Sequence, residues 1–187
     1  MTFNIHNSIS INNTETEIVI LSNGFVYVGD HNPDTCEILF PLNIRHWGTE
    51  NGVGELAFGG PREATKLDNC GHIIYNPAHL ICTIKVEDGV FDEALDRKGR
   101  EYTPFGDQFL VVAEAGFVFV GDCEQREASL KMTEASVVRS WSPSCGAMGG
   151  VSLGLGGVMD ACGEVELPLR AVIHMMRCTK RIEGEDK

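Results

Sequence analysis

The segment Gly24-Phe25-Val26-Tyr27-Val28-Gly29-Asp30 returns 92 residues later as Gly116-Phe117-Val118-Phe119-Val120-Gly121-Asp122. Self-similarity of this kind constrains a fold strongly, because each copy is a supersecondary unit that must cover the same apolar face. Further stations match in the same order. Ile18-Val19-Ile20-Leu21 is answered by Leu110-Val111-Val112-Ala113. Ile44-Arg45-His46-Trp47 is answered by Val138-Arg139-Ser140-Trp141 after a two-residue insertion, and these stations hold both tryptophans of the chain. Glycine-rich stretches follow at 52–60 and 146–157. Leu67-Asp68-Asn69-Cys70-Gly71 then matches Met159-Asp160-Ala161-Cys162-Gly163, and Leu80-Ile81-Cys82-Thr83-Ile84 matches Val172-Ile173-His174-Met175-Met176. The order predicts a tandem duplication, with a first β-rich repeat over 14–86, a charged linker over 87–107 and a second repeat over 108–181.

Within the unit, an apolar strand ends at Leu21 and turns at Ser22-Asn23-Gly24 into a second strand from Phe25 to Val28. Asn-Gly is the strongest short hairpin signal, since both turn positions call for positive φ. In the second copy Ala115-Gly116 leaves the turn to glycine alone. A third strand starts near Glu37 and runs toward Trp47. Gly54-Glu55-Leu56-Ala57-Phe58 fits one short helical turn. Asp68-Asn69-Cys70-Gly71 reads as a second turn, with strands after it near His72 and from Leu80. Short strands with tight turns predict a mainly β fold of two small SH3-like barrel or sheet units, related by a pseudo-two-fold axis and carrying one or two short helices. In the linker, Phe91, Ala94 and Leu95 lie at helical spacing.

The net charge of −12 over 187 residues repels phosphate backbones, so no nucleic-acid partner is expected. Seven cysteines without C-x-x-C pairs predict free thiols in a reducing setting, packed as small hydrophobes. No apolar run has the length of a signal peptide or membrane span, and the polar segment 1–13 is not a targeting signal. The expected location is a virion or host cytoplasm, neither secreted nor membrane-bound.

The run Ile44-Arg45-His46-Trp47-Gly48-Thr49, then Gly52-Val53-Gly54-Glu55-Leu56-Ala57, Gly60-Pro61, Leu67-Asp68 and Cys70-Gly71, resembles a family of small domains of unknown function encoded by tailed phages and prophages. Members look like single copies of this unit, and Arg-x-Trp-Gly-Thr and Gly-Glu-Leu-Ala are its most distinctive signatures. The resemblance covers residues 17–86. The second copy keeps Val138-Arg139-Ser140-Trp141 and Arg177-Cys178-Thr179 but lacks the Gly-Thr and Gly-Glu-Leu-Ala segments. The family has no settled activity, so the resemblance implies a viral context and nothing catalytic.

Four features are candidate sites. Arg45 with Trp47, and Arg139 with Trp141, stand at i and i+2 on a strand and share a face, where a planar or anionic ligand can stack. The plainer reading is a tryptophan capping the end of the barrel with the arginine stem laid across it. Gly52 and Gly54, ahead of a short helix, can present backbone N–H groups to an anion, or can simply serve a turn. Asp68 with Cys70, and Asp160 with Cys162, place a carboxylate beside a thiol. That raises a thiol pKa rather than lowering it, so an Asx-type turn is favoured over a nucleophile. The six histidines show no paired spacing, and Asp30 and Asp122 read as turn residues at strand ends, so neither a metal nor a cofactor is expected.

These readings predict a non-enzymatic phage-type structural or accessory protein, acting through protein partners or self-association. The alternative is a cytoplasmic protein that holds a small ligand or host factor between the repeats, around Arg45 and Arg139. A cysteine enzyme using Cys70 or Cys162 ranks last.

Overall fold

The computed structural model describes residues 14–99, 106–141, 151–153 and 157–182. The chain is mainly β. The first half contributes β1 (Glu15–Leu21), β2 (Val26–Asn32), β3 (Glu37–His46), helix α1 (Val53–Gly59), β4 (Lys66–Asn69), β5 (Ile73–Tyr75) and β6 (Leu80–Lys85). Helix α2 (Asp92–Leu95) lies in the linker. The second half contributes β7 (Gln108–Ala113), β8 (Val118–Gln125), β9 (Ser129–Trp141), β10 (Gly157–Pro168) and β11 (Val172–Arg177). All eleven strands form one open antiparallel sheet in the order β10-β9-β8-β7-β11-β5-β3-β2-β1-β6, with β4 also paired to β3.

The ladders of the two halves keep the same register under a shift of 92 residues, or 94 in β9. Asp30 lies opposite Leu39 and His31 opposite Ile38 in β2–β3, while Asp122 lies opposite Thr133 and Cys123 opposite Met132 in β8–β9. Asp68 faces Asn43 and Ile73 faces Ile38, as Asp160 faces Val137 and Val165 faces Met132. Ile18 faces Ile84, as Leu110 faces Met176. The irregularities repeat as well. Phe40 and Glu134, inside β3 and β9, both take positive φ, at 51° and 48°. Each marks a bulge that presses its strand onto a glycine of the neighbouring one. A Cβ on Gly29 would stand 2.7 Å from the Leu39 carbonyl oxygen, and one on Gly121 would stand 2.9 Å from that of Thr133. The second glycine of the repeated motif is therefore there for close backbone approach.

Three local expectations are corrected. In the first hairpin Gly24 takes positive φ (85°) and Asn23 does not, and the Gly24 N–H donates to the Leu21 carbonyl at 2.9 Å. This is a three-residue loop closed by a left-handed glycine, not a two-residue Asn-Gly turn. The second hairpin is the one with two positive-φ residues, Ala115 (59°) and Gly116 (79°). Second, Asp68 to Gly71 is not a turn. The chain continues along β3 there, with the Cys70 N–H donating to the Pro41 carbonyl at 3.2 Å, and in the second half β10 runs through the matching residues. Third, Asp30 and Asp122 sit within β2 and β8 rather than at turns.

The apolar residues sort into three clusters. One joins both halves through Val19, Leu21, Tyr27, Ile38, Ile73, Leu110, Val112, Val118, Val120 and Met176. A second lies mostly in the second half, around Phe109, Val111, Leu130, Met132 and Met175, and takes in Ile74 of β5. The third belongs to the first half, where α1 (Leu56, Ala57) and the linker (Phe91, Leu95) cover Ile18, Val26, Val28 and Ile44. Each fully buried aliphatic or aromatic side chain contributes about 1.5–3 kcal/mol relative to an exposed one. The halves meet where β11 pairs with β5, placing His174 opposite Tyr75, Met175 opposite Ile74 and Met176 opposite Ile73.

Candidate functional site

The inner face of that seam carries a buried polar array. Tyr27 and His31 project from one face of β2, four residues apart. Tyr27 Oη shares a 2.9 Å hydrogen bond with His174 Nε2 of β11, and the His31 Nε2 shares one of 2.7 Å with Tyr75 Oη of β5. The other ring nitrogen of His31 meets the Glu17 carboxylate at 2.5 Å. His31 is 2% exposed, Tyr75 1%, and Tyr27 and His174 are fully enclosed. Burial holds the His174 imidazole neutral, with its pKa lowered to about 3, and pushes both tyrosine hydroxyls up. Burial likewise raises the nearby Cys36 thiol.

Beside the array lies a second buried group, Glu37, His72 and Arg177. The His72 Nε2 stands 3.6 Å from Glu37, too far for a hydrogen bond. Burial, and then the Arg177 cation, lower the His72 pKa to about 3. The imidazole is therefore neutral, and the charge facing the Glu37 carboxylate comes from Arg177. Thr35 Oγ1 donates to Glu37 at 2.8 Å, and the Arg177 guanidinium lies 4.9 Å from the centre of the Phe109 ring. A carboxylate–imidazole–phenol relay like Glu17–His31–Tyr75 can move a proton; its imidazole and phenol are buried, its carboxylate is partly exposed, and the three groups cross-link β1, β2 and β5.

The residues singled out from sequence lie elsewhere. Arg45 pairs with Asp68 on the neighbouring strand, and Arg139 pairs with Asp160, so the repeated arginine and the repeated aspartate of the Asp-x-Cys-Gly station are partners. Trp47 lies just past the end of β3 and is 39% exposed; its carbonyl accepts from Thr65 Oγ1 at 2.7 Å. Trp141 closes β9 opposite Gly157, and its side chain lies outside the described residues. Arg45 on β3 and Arg139 on β9 stand five places apart in the strand order, so the sheet does not make them neighbours. Gly52 precedes α1, where its carbonyl accepts from Thr49 Oγ1 at 2.6 Å, and Gly54 lies in the first turn with open space around it. Residues 146–150 and 154–156 of the second glycine stretch lie outside the described residues.

Cys70 is buried and Cys162 exposed, and each thiol donates to the carbonyl of its own station's aspartate, at 3.5 and 3.4 Å. Burial also raises Cys123, and pushes Cys178 up to about 12. Asp30 is gripped by Arg97 through two bonds of 2.8 and 2.7 Å, which ties the linker to β2, while Asp122 meets Arg181 at 3.3 Å. An open cleft of about 350 Å³ is lined by Glu15, Lys85, Glu87, Asp88 and Asp92, none of them a sequence candidate. Among the described residues no group of three or more His, Cys, Asp or Glu is placed to hold a metal ion, and no helix is long and apolar enough to cross a membrane.

The polar array was missed because its members carry no motif. The available signal was departure from the repeat. Tyr27, His31, Tyr75 and Glu17 are answered 92 residues on by Phe119, Cys123, Leu167 and Phe109, and His174 answers Cys82. No protein-family model, curated protein or solved structure matches the chain.

Proposed function

We propose that this chain is a non-enzymatic structural or accessory protein of the kind tailed phages and prophages encode, made of two copies of one β unit and working through protein association. The observation that carries the reading is the repetition of the first half's own ladder registers in the second half, bulges included. A duplicated unit joined edge to edge is an assembly principle already in use inside one chain. The groups that would have served a ligand or a nucleophile support the same reading. Arg45 and Arg139 are taken up by Asp68 and Asp160, and the Cys70 and Cys162 thiols each donate to the carbonyl of their own station's aspartate. The phage setting rests on the resemblance over residues 17–86.

The test is mass spectrometry of purified particles induced from the strain that carries the gene. The chain should be recovered from the particles in stoichiometric amount. Its presence in the induced lysate and absence from the particles would remove the virion role.

A further inference from the structure

We propose that β6 of one chain pairs with β10 of a second copy, in the register that β11 and β5 use inside the chain. The inference rests on the reading of the chain as an assembly module and names its partner. β6 and β10 are the two ends of the strand order, so each leaves one side of its backbone without a ladder partner among the described residues. Under the 92-residue shift β6 corresponds to β11, and the second part of β10 corresponds to β5. Inside the chain these two types of edge meet at β5–β11. A closed two-fold relation between units calls for the reciprocal contact as well, and the single chain lacks it.

The backbone is oriented for that contact. The Val86 N–H donates inward to the Thr16 carbonyl, so the alternate residues Thr83 and Lys85 direct their N–H and C=O groups away from β1. On β10, the Leu169 N–H donates to Ala128 toward β9, which turns the backbone groups of Glu166 and Glu164 to the free side. Carrying over the internal register places Ile84 beside Val165, Thr83 beside Glu166 and Lys85 beside Glu164. The last pair is opposite in charge, and the first joins two half-buried aliphatic side chains. Ile81, 63% exposed on β6, gains cover in the same contact. Edge strands of this type template pairing with another chain unless something blocks them.

Sedimentation equilibrium of the full chain over a concentration series tests this. The parent chain should associate. Thr83→Pro removes an outward N–H from an edge strand, where proline is compatible with the fold, and should give the single-chain mass with an unchanged circular dichroism spectrum. Lys85→Glu and Glu164→Lys should each weaken association roughly fivefold by placing like charges opposite one another. An equimolar mixture of these two variants should restore it, because both of its junctions then pair opposite charges. A parent chain of single-chain mass at every concentration would overturn the proposal, as would association that survives Thr83→Pro or a mixture that fails to recover. A single-chain mass leaves the particle measurement untouched, whereas a self-associating chain absent from particles would sink the virion role alone.

Discussion

Tyr27 Oη and His174 Nε2 share a 2.9 Å hydrogen bond that spans 147 residues of sequence and ties the first hairpin to the last strand. Both side chains are fully buried, and their rings meet edge to face with centroids 5.4 Å apart. Tyr27→Phe keeps the ring and strands a buried imidazole nitrogen, so it should destabilise the chain by about 1–3 kcal/mol. A drop in the denaturant midpoint with an unchanged m-value is the expected reading. Phe119 already occupies the corresponding place in β8, so Phe119→Tyr is the informative contrast: it adds a hydroxyl without that partner and should bring no gain.

Acid should weaken the fold before any carboxylate does. His72 and His174 have folded-state pKa values of about 3, below the ordinary 6.5. Between those values the unfolded chain binds the extra protons, so stability falls as pH drops from near 6.5 toward 3. The loss is on the order of a few kcal/mol for each group. Glu37, raised by burial, acts in the opposite sense and loses stability as pH rises through its own window. Thermal melts between pH 7 and pH 4 should show the decline, and His174→Gln should flatten it. A melting temperature independent of pH over that range would contradict the neutral, buried imidazoles.

The two repeated ion pairs should differ in strength. Asp68 is 9% exposed and Asp160 28%, while Arg45 and Arg139 are 42% and 68% exposed. Removing Arg45 leaves a mostly enclosed carboxylate without its cation, whereas removing Arg139 leaves one that water can reach. Arg45→Ala should cost about 1 kcal/mol and Arg139→Ala a few tenths, within the range of partly exposed pairs. Equal effects in urea titrations would show that burial of the aspartate does not set the difference.

Gly29 and Gly54 offer a sharper contrast. Gly29→Ala would push a methyl to 2.7 Å from both the Leu39 carbonyl oxygen and Ile38 Cγ2, and should destabilise by about 2 kcal/mol or more. Gly54 lies inside α1 with nothing near its Cβ position, so Gly54→Ala should stabilise by up to ~1 kcal/mol. Melting temperatures of the two single variants check both signs at once.

Much of the local structure was legible in the residues. The short apolar runs Ile18 to Leu21 and Phe25 to Val28, with turn residues between them, mark β1 and β2, and Gly54 to Phe58 marks α1. The Asp68 to Gly71 station was misread because a four-residue cluster rich in Asp, Asn and Gly has the composition of a turn. Whether it turns or follows a bulge along β3 depends on the neighbouring strand. Arg45 and Asp68 were each noticed, but their partnership was not, since 23 positions of sequence separate them and only the β3–β4 register brings them together.

Sequence alone determined the β class and the positions of most strands, because short apolar runs and turn chemistry act over a few neighbouring residues. Tertiary structure decided that both halves share one sheet, that Tyr27 reaches His174, and that β6 and β10 end the strand order. Those outcomes depend on which edges meet, and edge pairing is settled by long-range burial and backbone hydrogen bonding that no local window of residues encodes.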